Sequence, residues 1–148
     1  MRQLEERAVY AKKRINMLAL AKKLTKLGKV VFLSRYSRKP IKNMIVPKRF
    51  VDSVNLVMQA DLFVGVGGTI TREAALQGTP AIVVEVFPKQ YVDDFLAVKG
   101  FPIFRVKADR ILKLAERILG QKCDVKGLLK QLENPVDVIE KIIDKYHR

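Results

Sequence analysis

Residues 60–85, ADLFVGVGGTITREAALQGTPAIVVE, decide how the rest of the chain is read. Leu62-Phe63-Val64-Gly65-Val66 is a short apolar run without polar alternation, the pattern of a parallel strand buried on both faces. Gly67 and Gly68 follow at once. Thr69 then stands where a helix N-cap is expected, ahead of the helix-forming run Glu73-Ala74-Ala75-Leu76-Gln77. Gly78 ends that helix, Pro80 follows, and Ala81-Ile82-Val83-Val84 reads as the next buried strand. Strand, glycine turn, helix, strand is one unit of a parallel α/β fold. Adjacent glycines let backbone N–H groups approach a ligand closely, and a helix N-terminus favours negative charge. The turn therefore suits a phosphate or diphosphate, while glycine at such a turn also serves packing alone.

The spacing excludes two common phosphate loops. Gly65, Gly67 and Ile70 do not make GxGxxG, and no Gly-Lys-Ser/Thr follows. Glu73 lies about one turn inside the helix, where an acid complements the macrodipole. The same carboxylate could accept hydrogen bonds from both hydroxyls of a ribose.

Gly67-Gly68-Thr69 with Arg72-Glu73-Ala74-Ala75 and Gly78-Thr79-Pro80 resembles the donor-binding signature of GT-B-fold glycosyltransferases. The lipid-linked N-acetylglucosaminyl transferase of peptidoglycan synthesis and the non-hydrolysing UDP-N-acetylglucosamine 2-epimerases are similar here. So is an uncharacterised, mainly archaeal family of GT-B-like proteins with a GGT-x-x-REAA-x-x-GTP run. The likeness is specific for the C-terminal domain of the superfamily and does not specify a reaction.

The 148 residues make one domain, and 49% hydrophobic composition marks it as globular. The single cysteine, Cys123, excludes an intramolecular disulfide and a cysteine-cluster metal site, and a cytoplasmic setting is expected. His147 is the lone histidine, so no histidine metal site or catalytic dyad is expected. No apolar run reaches roughly 18 residues and no signal-peptide core is evident. Net charge is +14, and it is unevenly placed: through Arg49 the chain carries fifteen Lys and Arg against Glu5 and Glu6. Such asymmetry fits an anionic partner, or a lysine-rich solvated surface.

Apolar spacing predicts a basic helix over 1–28, its face carried by Leu4, Ala8, Ala11, Ile15, Leu18, Leu24 and Leu27. Val30-Val31-Phe32-Leu33 reads as a buried strand, and Asn43 to Val46 as a short one. A crossover helix over Phe50–Ala60 leads into the central stretch. Met44 and Met58 read as core filler. Beyond Val84, a helix is expected from near Lys89, then a strand over Pro102–Val106. Helices over Asp109–Leu119, Val125–Leu132 and Val136–Tyr146 should cover a sheet face. The class is α/β: a Rossmann-like, mainly parallel sheet with helices on both faces.

The resemblance implies a nucleotide-sugar ligand, a UDP-sugar above all, and no metal or resident cofactor. It assigns Gly67, Gly68, Thr69, Glu73 and Arg35 to the nucleotide and diphosphate, and Gln90 and Asp94, one helical turn apart, to the donor sugar. Charge developing on the leaving nucleotide would be stabilised by the amides at Gly67-Gly68-Thr69, the Thr69 hydroxyl and Arg35. Glu73 would fix the donor through the ribose. No catalytic residue is identified, Glu85 being only a lone carboxylate. A GT-B enzyme has two Rossmann-like domains, and the resemblance covers only the donor half. That half also lacks an obvious first strand. The chain is therefore expected to be a fragment or one half of a two-domain enzyme, inactive alone. A partner subunit or domain would bind the acceptor, as in the eukaryotic two-subunit N-acetylglucosaminyl transferase. The basic third would face that partner or an anionic lipid carrier, with membrane association through the partner. Two other classes compete: a nucleic-acid-binding module, which ranks behind because no stacking platform or helix-turn-helix accompanies the charge, and a non-catalytic interaction domain.

Overall fold

In a computed structural model, residues 15–34, 39–86 and 90–146 are described. The described elements are α1 (Met17–Leu24), α2 (Ser53–Gln59), β1 (Phe63–Gly65), α3 (Thr69–Leu76), β2 (Ala81–Val84), α4 (Tyr91–Val98), β3 (Ile103–Val106), α5 (Ile111–Ile118), α6 (Lys126–Leu129) and α7 (Pro135–Tyr146). A 3-10 turn at Ala108–Arg110 leads into α5. The three strands form a parallel sheet in the order β1-β2-β3. Phe63 stands opposite Ala81, and Ala81 opposite Ile103. The protein is thus α/β with a parallel sheet flanked by helices, a Rossmann-like arrangement.

The pleat explains the layering. Successive side chains of a strand point to opposite faces. Ala81 and Val83 therefore join Val57, Ala74, Ala75, Leu96, Phe101, Ile103 and Val125 in one core beneath α2, α3 and α4. Ile82 and Val84 join Leu20, Val86, Ile111, Leu114, Ala115 and Ile118 in a second core beneath α1 and α5. Residues 81–84 are fully excluded from solvent. Thr79 donates its hydroxyl hydrogen to Val57 O at 2.8 Å, tying α2 to the segment that enters β2.

Several elements are shorter than the sequence predicts. Within the expected 1–28 helix, residues 15–28 are described, and α1 starts at Met17 because Asn16 caps it, accepting the Ala19 N–H at 2.9 Å. The segments 30–33 and 43–46 are not buried strands. They share one parallel bridge, Val31 to Ile45, and Val31, Leu33 and Ile45 are solvent-exposed. α2 begins at Ser53 rather than Phe50, because Asp52 accepts the Asn55 N–H at 3.1 Å. Met58 is exposed instead of filling the core. α6 contributes Leu128 to the first core, but α7 buries no residue. Its Val136, Ile139, Ile143 and Tyr146, spaced as one helical stripe, are at least half exposed and cover no sheet face. No helix among the described residues is long and apolar enough to cross a membrane.

Gly78 closes α3 at φ +81, and a Cβ there would overlap the carbonyl oxygen of Cys123. The Cys123 N–H in turn donates to Gly78 O at 2.9 Å, so the two backbones are locked together. Gly78→Ala is expected to cost at least about 2 kcal/mol, from both the backbone conformation and the overlap. A urea titration checks it; an unchanged midpoint would mean that the contact yields freely. The Asn55 backbone N–H, followed by its side chain, holds the Asp52 carboxyl below its ordinary value of 3.8. A depressed pKa stabilises the cap above 3.8 and loses that support as pH falls through the lower folded value. Faster exchange of the Asn55 amide relative to its neighbours in that acid window is the expected signature.

Candidate functional site

The turn between β1 and α3 is made by Gly67 and Gly68, at φ +95 and +96, values that L side chains rarely adopt. Gly68 itself is the N-cap of α3, so Thr69 is the first helical residue and not the cap predicted for it. The difference has a local cause: the left-handed backbone at Gly68 turns the chain one residue earlier. Without a side chain, Gly68 caps nothing, and no side chain caps the helix. Nothing stands within 4 Å of where its Cβ would be. The first-turn N–H groups of an eight-residue helix thus open outward beneath a bare backbone.

Gly67 is crowded where Gly68 is open. A Cβ on Gly67 would overlap Gln90 Oε1 and lie 3.0 Å from Asp93 Oδ2. Gln90 is the N-cap residue of α4, and its Nε2 donates to Val66 O at 3.1 Å. That bond turns Oε1 toward the glycine turn, where it is buried without a hydrogen-bond partner. Asp93, 2% exposed, receives the Arg72 Nε–H at 2.7 Å on Oδ1, while its Oδ2 has no partner. An ion pair from α3 to α4 thereby fixes the walls on either side of the turn. Glu73 is half-buried, with Oε2 buried and unpartnered. Thr71 Oγ1, near Gly65, is a further buried oxygen with no partner.

Of the residues singled out from sequence, Gly67, Gly68, Thr69 and Glu73 share this turn or the helix leaving it, and Gln90 reaches the turn from the start of α4. Asp94 does not face it: its Oδ1 lies 3.3 Å from Arg105 Nη2, an ion pair to β3. Arg35 lies outside the described residues. Glu85 donates its N–H to Val106 O at 2.9 Å. A shallow hollow of about 330 Å³ between α1 and the start of α5, lined in part by Asn16, Lys23 and Asp109, does not include the turn. No acidic, histidine or cysteine cluster able to hold a metal occurs among the described residues. Sequence reading missed the Arg72–Asp93 pair. Its available signal was spacing: Asp93 follows Gln90 by three residues, which puts both on one side of α4.

Removing Arg72 leaves a buried carboxylate without its counter-charge. Arg72→Ala is expected to lower stability by about 3 kcal/mol, the low end for a broken buried pair because the arginine is itself about a third exposed. Arg72→Leu combined with Asp93→Leu should recover most of that loss in the same chemical denaturation assay. Additive losses would show that the two residues do not act as a pair.

A family model described as "Protein of unknown function (DUF354)" matches residues 12–148. An uncharacterised protein of Methanocaldococcus jannaschii is 32% identical over 106 residues, 70% of this chain. The match spans only 29% of that relative's length. No solved structure matches significantly.

Proposed function

The chain belongs to the DUF354 family, and we propose that it is the nucleotide-sugar-binding domain of a GT-B-like glycosyltransferase or sugar-nucleotide epimerase, with a UDP-sugar as ligand. One observation carries this reading: the uncapped N-terminus of α3 is open at Gly68, with an unpartnered buried oxygen of Glu73 one turn further in. Backbone N–H groups and the helix dipole at the bend suit a diphosphate. The Glu73 carboxylate suits the two hydroxyls of a ribose, which would supply the donors that Oε2 lacks. Gln90, with Oε1 turned to the same bend, borders the space a sugar would take.

The chemistry such a site performs is electrostatic. Departure of a nucleoside diphosphate builds negative charge, and fixed N–H dipoles at Gly68, Thr69 and Ile70 stabilise it without reorganising. The Arg72–Asp93 pair acts indirectly, holding α3 and α4 at the spacing the ligand requires. The general base for an acceptor belongs to a partner domain or subunit, which this reading requires for turnover. Exposed Lys22, Lys23, Lys26 and Lys29 on and after α1 suit that partner or an anionic lipid carrier.

A thermal-shift panel of UDP, GDP, ADP, TDP and their sugar conjugates tests the reading. UDP or UDP-N-acetylglucosamine should raise the melting temperature by several degrees at roughly a hundredfold excess over Kd. Glu73→Ala should abolish the shift. No shift with any nucleotide ends the proposal, and an equal shift in the variant removes Glu73 from the site.

A further inference from the structure

The sheet separates two helical layers of opposite electrostatic character. On one side, α1 and α5 cover the second core. Residues 17–29 and 107–118 in that layer carry eight Lys or Arg against two acids, Asp109 and Glu116, and all ten side chains are exposed. The layer on the other side has the opposite balance. In residues 52–60, 69–77 and 90–99, Arg72 and Lys99 stand against four acids. The positive charge of the molecule therefore has a direction across the sheet.

Stability of the fold does not account for these cations. The ion pairs Arg72–Asp93 and Arg105–Asp94 use none of the eight. Lys22 and Lys23 complement the dipole at the end of α1, but Lys107 and Arg110 lead into α5, where positive charge is unfavourable. Such placement points to an anionic partner, and the neighbouring side chains say which kind. Neither segment contains an aromatic residue, so a nucleic-acid base has nothing to stack on. A protein partner is ordinarily held in register by charges of both signs, and here one sign dominates. Apolar surface lies among the cations instead. Leu18 is exposed, and the hollow of about 330 Å³ between α1 and the start of α5 is lined by Ala19, Leu20, Ala108 and Leu112 beside Lys23. Exposed hydrocarbon surrounded by lysine matches the headgroup region of an anionic bilayer.

We propose that the α1–α5 face docks on a membrane surface of anionic phospholipids. Lys22, Lys23, Lys26 and Lys29 meet headgroup phosphates on the α1 side, and Lys107 and Arg110 meet them across the hollow. Leu18 and the lining of the hollow contact the first carbons of the acyl chains. The attachment is peripheral and reversible, because the apolar face of α1 is already spent on the core through Leu20 and Ala21. α3 belongs to the opposite layer, so docking leaves the glycine turn accessible, and the attachment does not depend on what that turn binds.

Flotation of the full chain with phosphatidylcholine vesicles, with and without about one third phosphatidylglycerol, tests this. At low salt, binding should be at least about tenfold tighter to the anionic vesicles, and it should weaken by a similar factor at about 1 M salt, where the Debye length is about 3 Å. Lys22→Gln, Lys23→Gln and Lys26→Gln together should weaken it at least about tenfold. Lys107→Gln with Arg110→Gln acts from the other side of the hollow and serves should the first variant misfold. Lys99→Gln, Lys130→Gln and Lys141→Gln remove as much charge from other segments and should alter binding less than about twofold. Equal losses in the two triple variants would reduce the effect to net charge and overturn the proposal. Absence of a preference for anionic vesicles would overturn it too, as would displacement from them by random duplex DNA at equal phosphate concentration.

Discussion

Water is excluded completely from Ala81–Val84, and that exclusion is the constraint on which the other elements depend. A backbone without solvent must bond to neighbours on both sides, and β1 and β3 supply those bonds. Side chains alternating from a buried strand need two apolar coverings, and α1 with α5 and α2 with α3 provide them. The glycine turn inherits its place from this arrangement. It leaves the carboxyl end of β1, where open parallel sheets present ligands, and its helix is held down by Ala74 and Ala75, both fully buried. Larger side chains at those two positions would lift α3 and move the N–H groups at its start.

The regions legible in sequence were those where local and tertiary preferences agree. Within residues 60–85 strand, glycine turn, helix and strand follow in the order read, because apolar runs, paired glycines and the Gly78-Thr79-Pro80 stop all specify the same path. Gly68 and not Thr69 caps α3, however, and β1 is half-buried rather than buried on both faces. The class followed, since alternating helix and strand admits few topologies. Val30–Leu33 misled because four apolar residues specify an extended chain but cannot supply its neighbours. Burial depends on pairing, and one bridge to Ile45 does not provide it. α7 misled similarly: its period was correct, but a periodic stripe says nothing about which surface will meet it.

Within the candidate site, glycine and acid positions were legible because backbone conformation and helix dipoles act locally. The pairing of charges was not. Asp93 and Asp94 are adjacent acids in one first turn, and sequence offers no means of telling which will be buried. The helix rotation decides, sending Asp93 to Arg72 and the glycine turn while Asp94 reaches Arg105. Buried oxygens without partners at Gln90, Glu73 and Asp93 are a product of packing three elements together, and no single segment announces them.

The uncovered stripe on α7 has a colloidal consequence. At a net charge of +14, molecules repel one another strongly in dilute buffer, and that repulsion keeps Val136, Ile139, Ile143 and Tyr146 of neighbouring molecules apart. Screening shortens the reach of that repulsion to about 8 Å at physiological ionic strength, comparable with the width of a helix. Salt therefore acts in opposite directions on the two surfaces of this molecule: it weakens whatever the lysines hold and brings the greasy helices of separate molecules within touching distance.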